Sequence, residues 1–337
     1  MTLENWTGWL KTRLAKHYTL WCNVSPGRGW FSRLQTKRRL PVMSIIQQRG
    51  FAMLALAAAV VFAVAVPQAE SSAQPTKPTD KGSGYAAVNG LKMYYEIAGA
   101  GEPAVYIHPI VSHCGLVPRL TGNRRWIAMD LQGHGRTADI DRPMTCEQHA
   151  DDIAALLKHL KIEEADVFGD SFGGAIAVMM AVRHPRFVRR VVSYGSPLAP
   201  FPKNIAAVIT PDCDLIKWER EEYRKVAPDP ERWPVVFSKA LKSGVEWKGF
   251  SPDELKAIDA PILIACGDHD LIPVERCAEL SRIIPNAQLA VIPDASHFVL
   301  FSEPEKLLPT IAAFLDAPAP KTPLSTLTTG YYPGVTR

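Results

Sequence analysis

The chain has 337 residues, which suggests one large domain with extensions, and its formal net charge is +4. Residues 1–50 hold nine lysines and arginines against the single acidic residue Glu4, a local balance of +8, so the remainder of the chain carries −4. A mildly acidic body offers no basic surface to a phosphate backbone, and we therefore predict no nucleic-acid partner.

Residues 51–66 form an almost wholly apolar segment rich in alanine and valine. The segment is shorter than the roughly 20 residues that span a bilayer. Its length, the preceding Arg49 and the small residues after it are typical of a signal peptide, with small-x-small cleavage sites at 63–65 and 71–73. We predict a signal peptide over residues 43–73 and export to the periplasm or the medium. An uncleaved membrane anchor and a buried core helix are the alternatives.

The segments on either side of this signal have distinct compositions. Residues 1–42 are rich in tryptophan and arginine without an amphipathic period, which leaves them an uncertain leader and makes Met43 a candidate for the true start. Residues 74–84 are rich in Pro, Thr, Lys and Gly, which predicts a linker. We expect membrane contact only through the export signal or an uncleaved anchor.

Strand and helix patterns alternate over residues 85–316. The pair Asn89-Gly90 lies between two β-rich runs and predicts a hairpin. Strand-like runs then cover 104–108, 126–130, 165–169, 190–194, 261–266 and 288–292, and helical patterns include 145–160, 175–183 and 274–284. This alternation predicts an α/β fold with a mostly parallel twisted sheet and helices on both faces.

The strand pattern stops between about 197 and 258, where aromatic residues lie among charged ones. This composition predicts an inserted cap of several short helices. Its aromatic side chains could line a substrate pocket or form the core of the cap, and the pattern does not separate the two. Residues 317–337 are rich in proline and threonine, which predicts a flexible tail.

A G-x-S-x-G sequence at 169–173 lies between a strand-like run and a small-residue helical pattern. Its glycines permit a turn too sharp for residues with a Cβ, and the turn would lift the Ser171 hydroxyl clear of the sheet. A serine hydroxyl becomes a nucleophile only beside a base that an acid orients. The alternative is that Ser171 occupies the turn only because it is small.

A candidate acid and a candidate base follow Ser171 in the order Ser, Asp, His. Asp270 and His297 each come just after an apolar run, at a strand end where open parallel sheets place their chemistry. Asp268 is the alternative acid, since only one of two carboxylates that lie two residues apart is expected to face the histidine. We predict a triad of Ser171, Asp270 and His297.

These motifs resemble those of the α/β-hydrolase family over roughly residues 85–316. The segment 130–137 resembles the family's D-x-x-G-x-G-x-S/T loop, 104–109 its third strand and H-G turn, 261–270 its acid segment and 296–298 its histidine motif. The similarity is greatest to serine esterases and lactonases with a helical cap. The chain departs from the family in having His108-Pro109 where the H-G pair is usual.

The resemblance implies an oxyanion hole of two backbone N–H groups. One is expected from Phe172, after the nucleophile, and the other from Ile110, because Pro109 has no N–H. We predict no cofactor and no metal, since His108, His113 and Cys114 lack a second ligand cluster. The remaining histidines are expected to have other places: a loop-shaping role for His134, and solvated positions for His149, His159 and His184.

The sequence thus favours a cofactor-independent serine hydrolase that cleaves a small or medium carboxylic ester or lactone through an acyl-enzyme. Two alternatives remain. One is hydrolysis of a carbon–carbon bond in a dicarbonyl compound, and the other is a capped-pocket ligand receptor with little turnover.

Overall fold

The structure is a computed structural model that describes residues 82–116, 120, 123–201 and 209–318. The predicted leader at 1–42 and signal peptide at 43–73 lie outside the described residues. So do residues 74–81 of the predicted linker and 319–337 of the predicted tail. Within the described ranges, no helix is both long enough and apolar enough to cross a membrane.

A central sheet is built from β1 (Gly82–Val88), β2 (Leu91–Gly99), β3 (Glu102–Ile107), β4 (Arg124–Met129), β5 (Ala165–Asp170), β6 (Val188–Tyr194), β7 (Ile262–His269) and β8 (Ala287–Ser296). The strand order is β1-β2-β4-β3-β5-β6-β7-β8. Strand β2 is antiparallel to both of its neighbours, and β3 to β8 are mutually parallel. The predicted mostly parallel sheet is confirmed.

The predicted hairpin at Asn89-Gly90 joins β1 to β2, with φ of 47° and 83° at the two turn residues. Strand β1 begins earlier than expected, however. Gly82 pairs with Ile97 and Gly84 with Tyr95, so three residues assigned to the linker belong to the sheet. Strand pairing is made by backbone hydrogen bonds, so residues 82–84 can pair although their glycine-rich composition lacks the side-chain pattern of a strand.

The helices are α1 (Cys146–His159), α2 (Phe172–Arg183), α3 (Asp214–Val226), α4 (Trp233–Glu246), α5 (Pro252–Lys256), α6 (Val274–Ile283), α7 (Val299–Ser302) and α8 (Pro304–Asp316). Helix α1 begins after Thr145, whose side chain accepts a hydrogen bond from the Gln148 N–H at 3.1 Å. This is the usual N-cap contact of a threonine. The helices predicted at 145–160, 175–183 and 274–284 are all present.

Both faces of the sheet are covered. Neighbouring side chains of β5 point to opposite faces: Val167 packs in the cluster that contains Ile176 of α2, and Phe168 in the cluster that contains Ile311 of α8. Every residue of β5 is buried. The strand that leads to Ser171 is therefore held from both sides, which fixes the position of the residue at its end.

A buried ion cluster anchors the opposite end of β5. Asp166 accepts hydrogen bonds from Arg124 Nε and Arg189 Nε, both at 2.8 Å. Arg124 also donates to the carbonyl oxygen of Leu315 at the end of α8, at 2.7 Å. Because buried charges are stable only when paired, this cluster fastens β4, β6 and α8 to the central strand.

Helices α3, α4 and α5 form the inserted cap, and no strand occurs in the described residues between 197 and 258. Its two main helices, with 13 and 14 residues, are longer than the short helices predicted. Tyr223, Trp233 and Phe237 pack on one another, with ring centroids 5.3 and 5.9 Å apart. These aromatic side chains form the core of the cap.

Candidate active site

Ser171 occupies the turn between β5 and α2, with φ 56° and ψ −120°. A non-glycine residue in such a sparsely populated region costs about 1–3 kcal/mol and persists only where the surrounding structure imposes it. Here the flanking glycines allow the strand and the helix to meet. A Cβ on Gly169 would lie 2.0 Å from the carbonyl oxygen of Gly173. The predicted sharp turn is present.

Gly173 gives a direct test of this close approach. A Cβ there would lie 2.3 Å from the carbonyl oxygen of Ile107 and 2.7 Å from that of His108. We expect Gly173→Ala to lower the free energy of unfolding by at least about 2 kcal/mol and to reduce activity sharply. Gly82→Ala is the control, since a Cβ at Gly82 meets nothing within 4 Å. Urea unfolding and ester turnover measure both effects, and a Gly173→Ala variant as stable as wild type contradicts the packing argument.

The structure brings the three predicted triad residues together. His297 Nε2 lies 3.1 Å from Ser171 Oγ, and His297 Nδ1 lies 2.8 Å from Asp270 Oδ1. An ionised carboxylate only accepts hydrogen bonds, so Nδ1 carries the proton and Nε2 is left to accept the serine hydroxyl. This is the arrangement in which an imidazole can remove the proton of a serine nucleophile.

The loop after β7 holds Asp270 in place. Its Oδ1 accepts the Ile272 N–H at 3.0 Å, and its Oδ2 accepts the Gly267 N–H at 3.4 Å. Burial raises the pKa of Asp270, but the His297 charge, the hydrogen bond from His297 and these two N–H groups outweigh it, so the pKa lies below its usual value. Asp270 is therefore a carboxylate at neutral pH.

Asp270 and Asp170 also act on His297. Burial lowers the pKa of His297, but the charge and hydrogen bond of Asp270, together with the charge of Asp170, raise it above its usual 6.5. A base with a raised pKa binds its proton more tightly, and it loses the neutral form needed for catalysis as the pH falls through that pKa. Activity that depends on His297 should therefore fall at mildly acidic pH.

The alternative acid, Asp268, points elsewhere. Its Oδ1 accepts the Ala295 N–H at 3.1 Å, and its side chain is 41% exposed. The register of β7 shifts between Gly267 and His269, and Asp270 lies beyond the end of the strand, which separates the two carboxylates. Asp268 links β7 to the end of β8, whereas Asp270 contacts His297.

Phe172 and Ile110, the predicted oxyanion donors, line one small cavity. Phe172 is the first residue of α2, where backbone N–H groups have no partner within the helix. Within the described residues, no acceptor is found for the N–H of Phe172 or of Ile110. The next N–H along the loop, that of Val111, donates to His134 Nε2 at 3.2 Å. Ile110 is thus the loop residue whose N–H is available.

A row of buried histidines supports this loop. His108 and His134 have ring centroids 5.1 Å apart, and His149 lies beside His134 at 6.4 Å. Burial lowers the pKa of His108 to about 4 and that of His134 to about 3, so both rings are neutral. His134 Nδ1 donates to the Gln132 carbonyl oxygen at 2.7 Å, which leaves Nε2 to accept from Val111. The loop-shaping role predicted for His134 agrees with these contacts.

The sequence-based prediction for His149 was wrong, because this residue of α1 is buried rather than solvated. It lies on the face of α1 that packs toward His134 and lines the same cavity as Ile110. A helical histidine between polar and small neighbours gives no sign of the face it occupies. The ring contact with His134 decides its burial.

Cap residues pack against Phe172, the residue that follows Ser171. Phe172 contacts Phe201 and Trp247 edge to face, with ring centroids 5.9 and 6.4 Å apart. Ala240 and Ser243 of α4 line the small cavity beside Ile110. The aromatic side chains of the cap therefore fall into two groups. Trp247 lies beside Phe172, whereas the cluster around Trp233 is internal to the cap.

Among the described residues, no three His, Cys, Asp or Glu side chains are grouped so as to hold a metal ion.

The comparisons with known proteins agree with the fold. A family model described as "Alpha/beta hydrolase family" matches residues 99–310. The chain belongs to the alpha/beta hydrolase family. Among curated relatives of this alpha/beta hydrolase, 2-hydroxymuconate semialdehyde hydrolase of Pseudomonas sp. (strain CF600) is 27% identical over 260 residues, covering 67% of this chain and 91% of that protein.

Solved structures give the same fold. The enol-lactonase of Burkholderia xenovorans LB400 has a TM-score of 0.58 at 23% identity and covers 69% of this chain and 100% of that one. A thermophilic esterase of Thermogutta terrifontis has a TM-score of 0.57 at 24% identity, covering 70% and 97%. At these identities the structures establish the alpha/beta hydrolase fold of the chain.

Proposed function

We propose that this protein is a serine hydrolase that cleaves a small or medium carboxylic ester or lactone through an acyl-enzyme. The observation that carries the proposal is the hydrogen-bonded chain from Ser171 Oγ through the His297 ring to Asp270 Oδ1, with separations of 3.1 and 2.8 Å. The strained backbone of Ser171 supports it, because such strain is typical of functional sites.

The proposed reaction has two halves. In the first, Ser171 Oγ attacks the ester carbonyl carbon and gives its proton to His297 Nε2, while the carbonyl oxygen becomes an oxyanion facing the N–H groups of Phe172 and Ile110. The carbonyl re-forms, the carbon–oxygen bond of the alcohol breaks, and His297 returns its proton to the departing oxygen. In the second half, water gives a proton to His297 Nε2 as its oxygen attacks the acyl carbon. The bond between that carbon and Ser171 Oγ then breaks, Ser171 Oγ takes the proton back from His297, and the acid is released.

Hydrolysis of a carbon–carbon bond is the second candidate, and the similarity to a 2-hydroxymuconate semialdehyde hydrolase favours it. The chain of hydrogen bonds from Ser171 through His297 to Asp270 fits both reactions, and the substrate assays below separate them.

A substrate panel separates the candidates. p-Nitrophenyl esters of increasing acyl length, simple lactones and dicarbonyl ring-cleavage acids are to be assayed with wild type and with Ser171→Ala. We expect turnover of esters or lactones that depends on Ser171. Turnover of the dicarbonyl acids alone supports the second candidate, and saturable binding without turnover of any compound supports a receptor.

We also propose that the protein is exported. The proposal rests on the apolar segment at 51–66, with Arg49 before it and small residues after it. Protein recovered from the periplasm or medium of an expressing bacterium should begin near residue 66 or 74, after one of the two small-x-small sites. Mass spectrometry of the mature amino terminus measures this. A mature protein that retains residues 1–42 would contradict the proposal.

A protein begun at Gln74 is the companion test, because it retains the whole of β1. We expect it to match the mature form in solubility and turnover. Loss of folding in this shortened protein would show that the segment before β1 has a structural role beyond export.

A further inference from the structure

Asp170, the residue immediately before Ser171, is a buried carboxyl group that the triad does not use. Its side chain is 2% exposed, and its Oδ1 has no hydrogen-bond partner in the described part of the chain. Acidic side chains are seldom buried unless they are paired. A buried acid with an unpaired oxygen is destabilising, which suggests that its charge has a use beside Ser171.

The sheet register shows where this carboxyl group lies. Side chains alternate along β5, so Asp170 shares a face with Phe168. On β6 its register partner is Tyr194, and on β3 the partner of Phe168 is Tyr106, diagonal to Asp170 on the same face. The Tyr194 hydroxyl donates to the carbonyl oxygen of Ser296 at 2.7 Å. The loop that carries His297 is thereby tied to the sheet face on which Asp170 lies. A Cβ on Gly195, the residue after Tyr194, would lie 3.0 Å from the His297 ring, so the ring lies beside this end of β6.

His297 and Asp270 are the charged groups with the largest effects on the pKa of Asp170. Burial raises the pKa of Asp170 to about 7; the His297 charge opposes this shift, the Asp270 carboxylate adds to it, and the Ser171 N–H opposes it. In return, the Asp170 charge helps to raise the pKa of His297. The two carboxyl groups thus influence the same imidazole.

Burial shifts the pKa of the other titratable groups buried near this end of the sheet toward the neutral form. Burial raises the pKa of Tyr106 and of Tyr194 above the usual value for a phenol. His108, which follows β3, is also neutral, because burial lowers its pKa to about 4. The cap residue Glu219 is buried and has its pKa raised well above its usual value by that burial and by Glu222. None of these groups supplies a charge that substitutes for Asp170.

We propose that Asp170 is a positioning residue for the reaction, whose carboxylate stabilises the His297 imidazolium that forms when Ser171 loses its proton. The inference rests on the proposed function. The proton moves from Ser171 Oγ to His297 Nε2 and later to the leaving oxygen. Asp170 takes no part in the proton transfer, and only its charge acts on the ring.

The pH profile of Asp170→Asn tests this role. The amide keeps the shape of the side chain and removes the charge, and the acidic limb of kcat/KM reports the base of the free enzyme. We expect this limb to move to lower pH by about 0.5 to 1 unit. The plateau should fall by up to about tenfold, since one pKa unit corresponds to a factor of ten. An unchanged limb overturns the proposal.

Asp166→Asn is the matched control. Asp166 lies on the same strand and face as Asp170 and is equally buried, but it pairs with Arg124 and Arg189 at the other end of β5. We expect this variant to be less stable than wild type and to have the acidic limb of kcat/KM at the same pH as wild type. A limb that moves equally in both variants reflects general damage to β5 and overturns the proposal.

Thermal unfolding provides a second readout that needs no catalysis. The folded pKa of Asp170, about 7, exceeds the unfolded value of about 3.9, so the folded form binds its proton more tightly. The stability from this proton is present below about pH 4 and is lost as the pH rises through about 7. The melting temperature of Asp170→Asn relative to wild type should therefore rise between pH 5 and pH 8.

A constant difference between the two melting temperatures contradicts the titration of Asp170. If Ser171→Ala keeps wild-type activity, the proposed function fails whatever the melting temperatures show. If Ser171→Ala is inactive and the limb of Asp170→Asn does not move, the hydrolase stands and this inference fails. Asp170→Ser serves for the same measurements if the asparagine variant does not fold.

Discussion

Replacing Ser171 with alanine is expected to lower ester turnover by about three to six orders of magnitude while the protein remains folded. The members of a nucleophile–base–acid unit act together, so removing the nucleophile removes most of the catalysis. Alanine has the same Cβ as serine, so the strained turn at φ 56° is no less favourable in the variant. Turnover of a p-nitrophenyl ester and a urea unfolding curve measure the two properties.

A suitable control for Ser171→Ala is Ser281→Ala. Ser281 lies on α6, where its hydroxyl donates to the carbonyl oxygen of Ala278 at 2.9 Å. This variant should keep wild-type turnover. If Ser171→Ala also kept most of its turnover, with contaminating esterase excluded, the proposed nucleophile would be wrong.

Exchange of Asp270 for asparagine should have the second largest effect, a loss of about 10³- to 10⁴-fold in kcat. The carboxylate accepts the Nδ1 proton of His297 at 2.8 Å, which leaves Nε2 free to act as the base. An amide can present its NH₂ to Nδ1 and favour the opposite tautomer. The ring would then have no acceptor directed at Ser171.

Asp268→Asn is the matched comparison, since it makes the same chemical change two residues away. The Oδ1 atom of Asp268 accepts the Ala295 N–H, whereas the imidazole of His297 is bonded to Asp270. We expect less than about a tenfold loss in this variant, because the Oδ1 of asparagine can still accept the Ala295 N–H. Equal losses in both variants, or a larger loss in Asp268→Asn, would show that the assignment of Asp270 as the acid is wrong.

The sequence was sufficient to predict the sheet, the turn at Ser171 and the three residues that converge there. Each of these depends on a local pattern, such as β-rich runs, flanking glycines or a strand end. The absence of strands from the described residues between 197 and 258 also matches the point at which the strand pattern stops. Such patterns can be recognised in the sequence because the side-chain period of a strand or a helix is set by residues that are close together in the chain.

The contacts that hold the loop around Ile110 could not be predicted in this way. His134 reaches Val111 across 23 residues, and His149 reaches the same cavity from α1. Contacts of this kind depend on which helix face meets which loop, and no periodicity records that. The nearest sequence signal was the placement of His134 between two glycines, which indicated a shaped loop without naming its partner.

Asp170 is a residue whose place in the site could not be predicted from the sequence. It occupies a variable position of G-x-S-x-G, and nothing in that motif indicates whether its side chain is buried. Burial on the face that also carries Tyr194 is a property of the sheet register. Reading the alternation along β5 back from Ser171 would have placed Asp170 on the face opposite Val167, but would not have revealed its unpaired oxygen.

The most direct test of the account is covalent labelling of the nucleophile. The purified protein is to be treated with a fluorophosphonate, which reacts with an activated serine hydroxyl, and the adduct located by peptide mass spectrometry. We expect one adduct per chain, on Ser171, and no comparable labelling in a His297→Ala variant that is folded. An adduct on another residue, or labelling of Ser171 that does not depend on His297, would contradict the proposed mechanism.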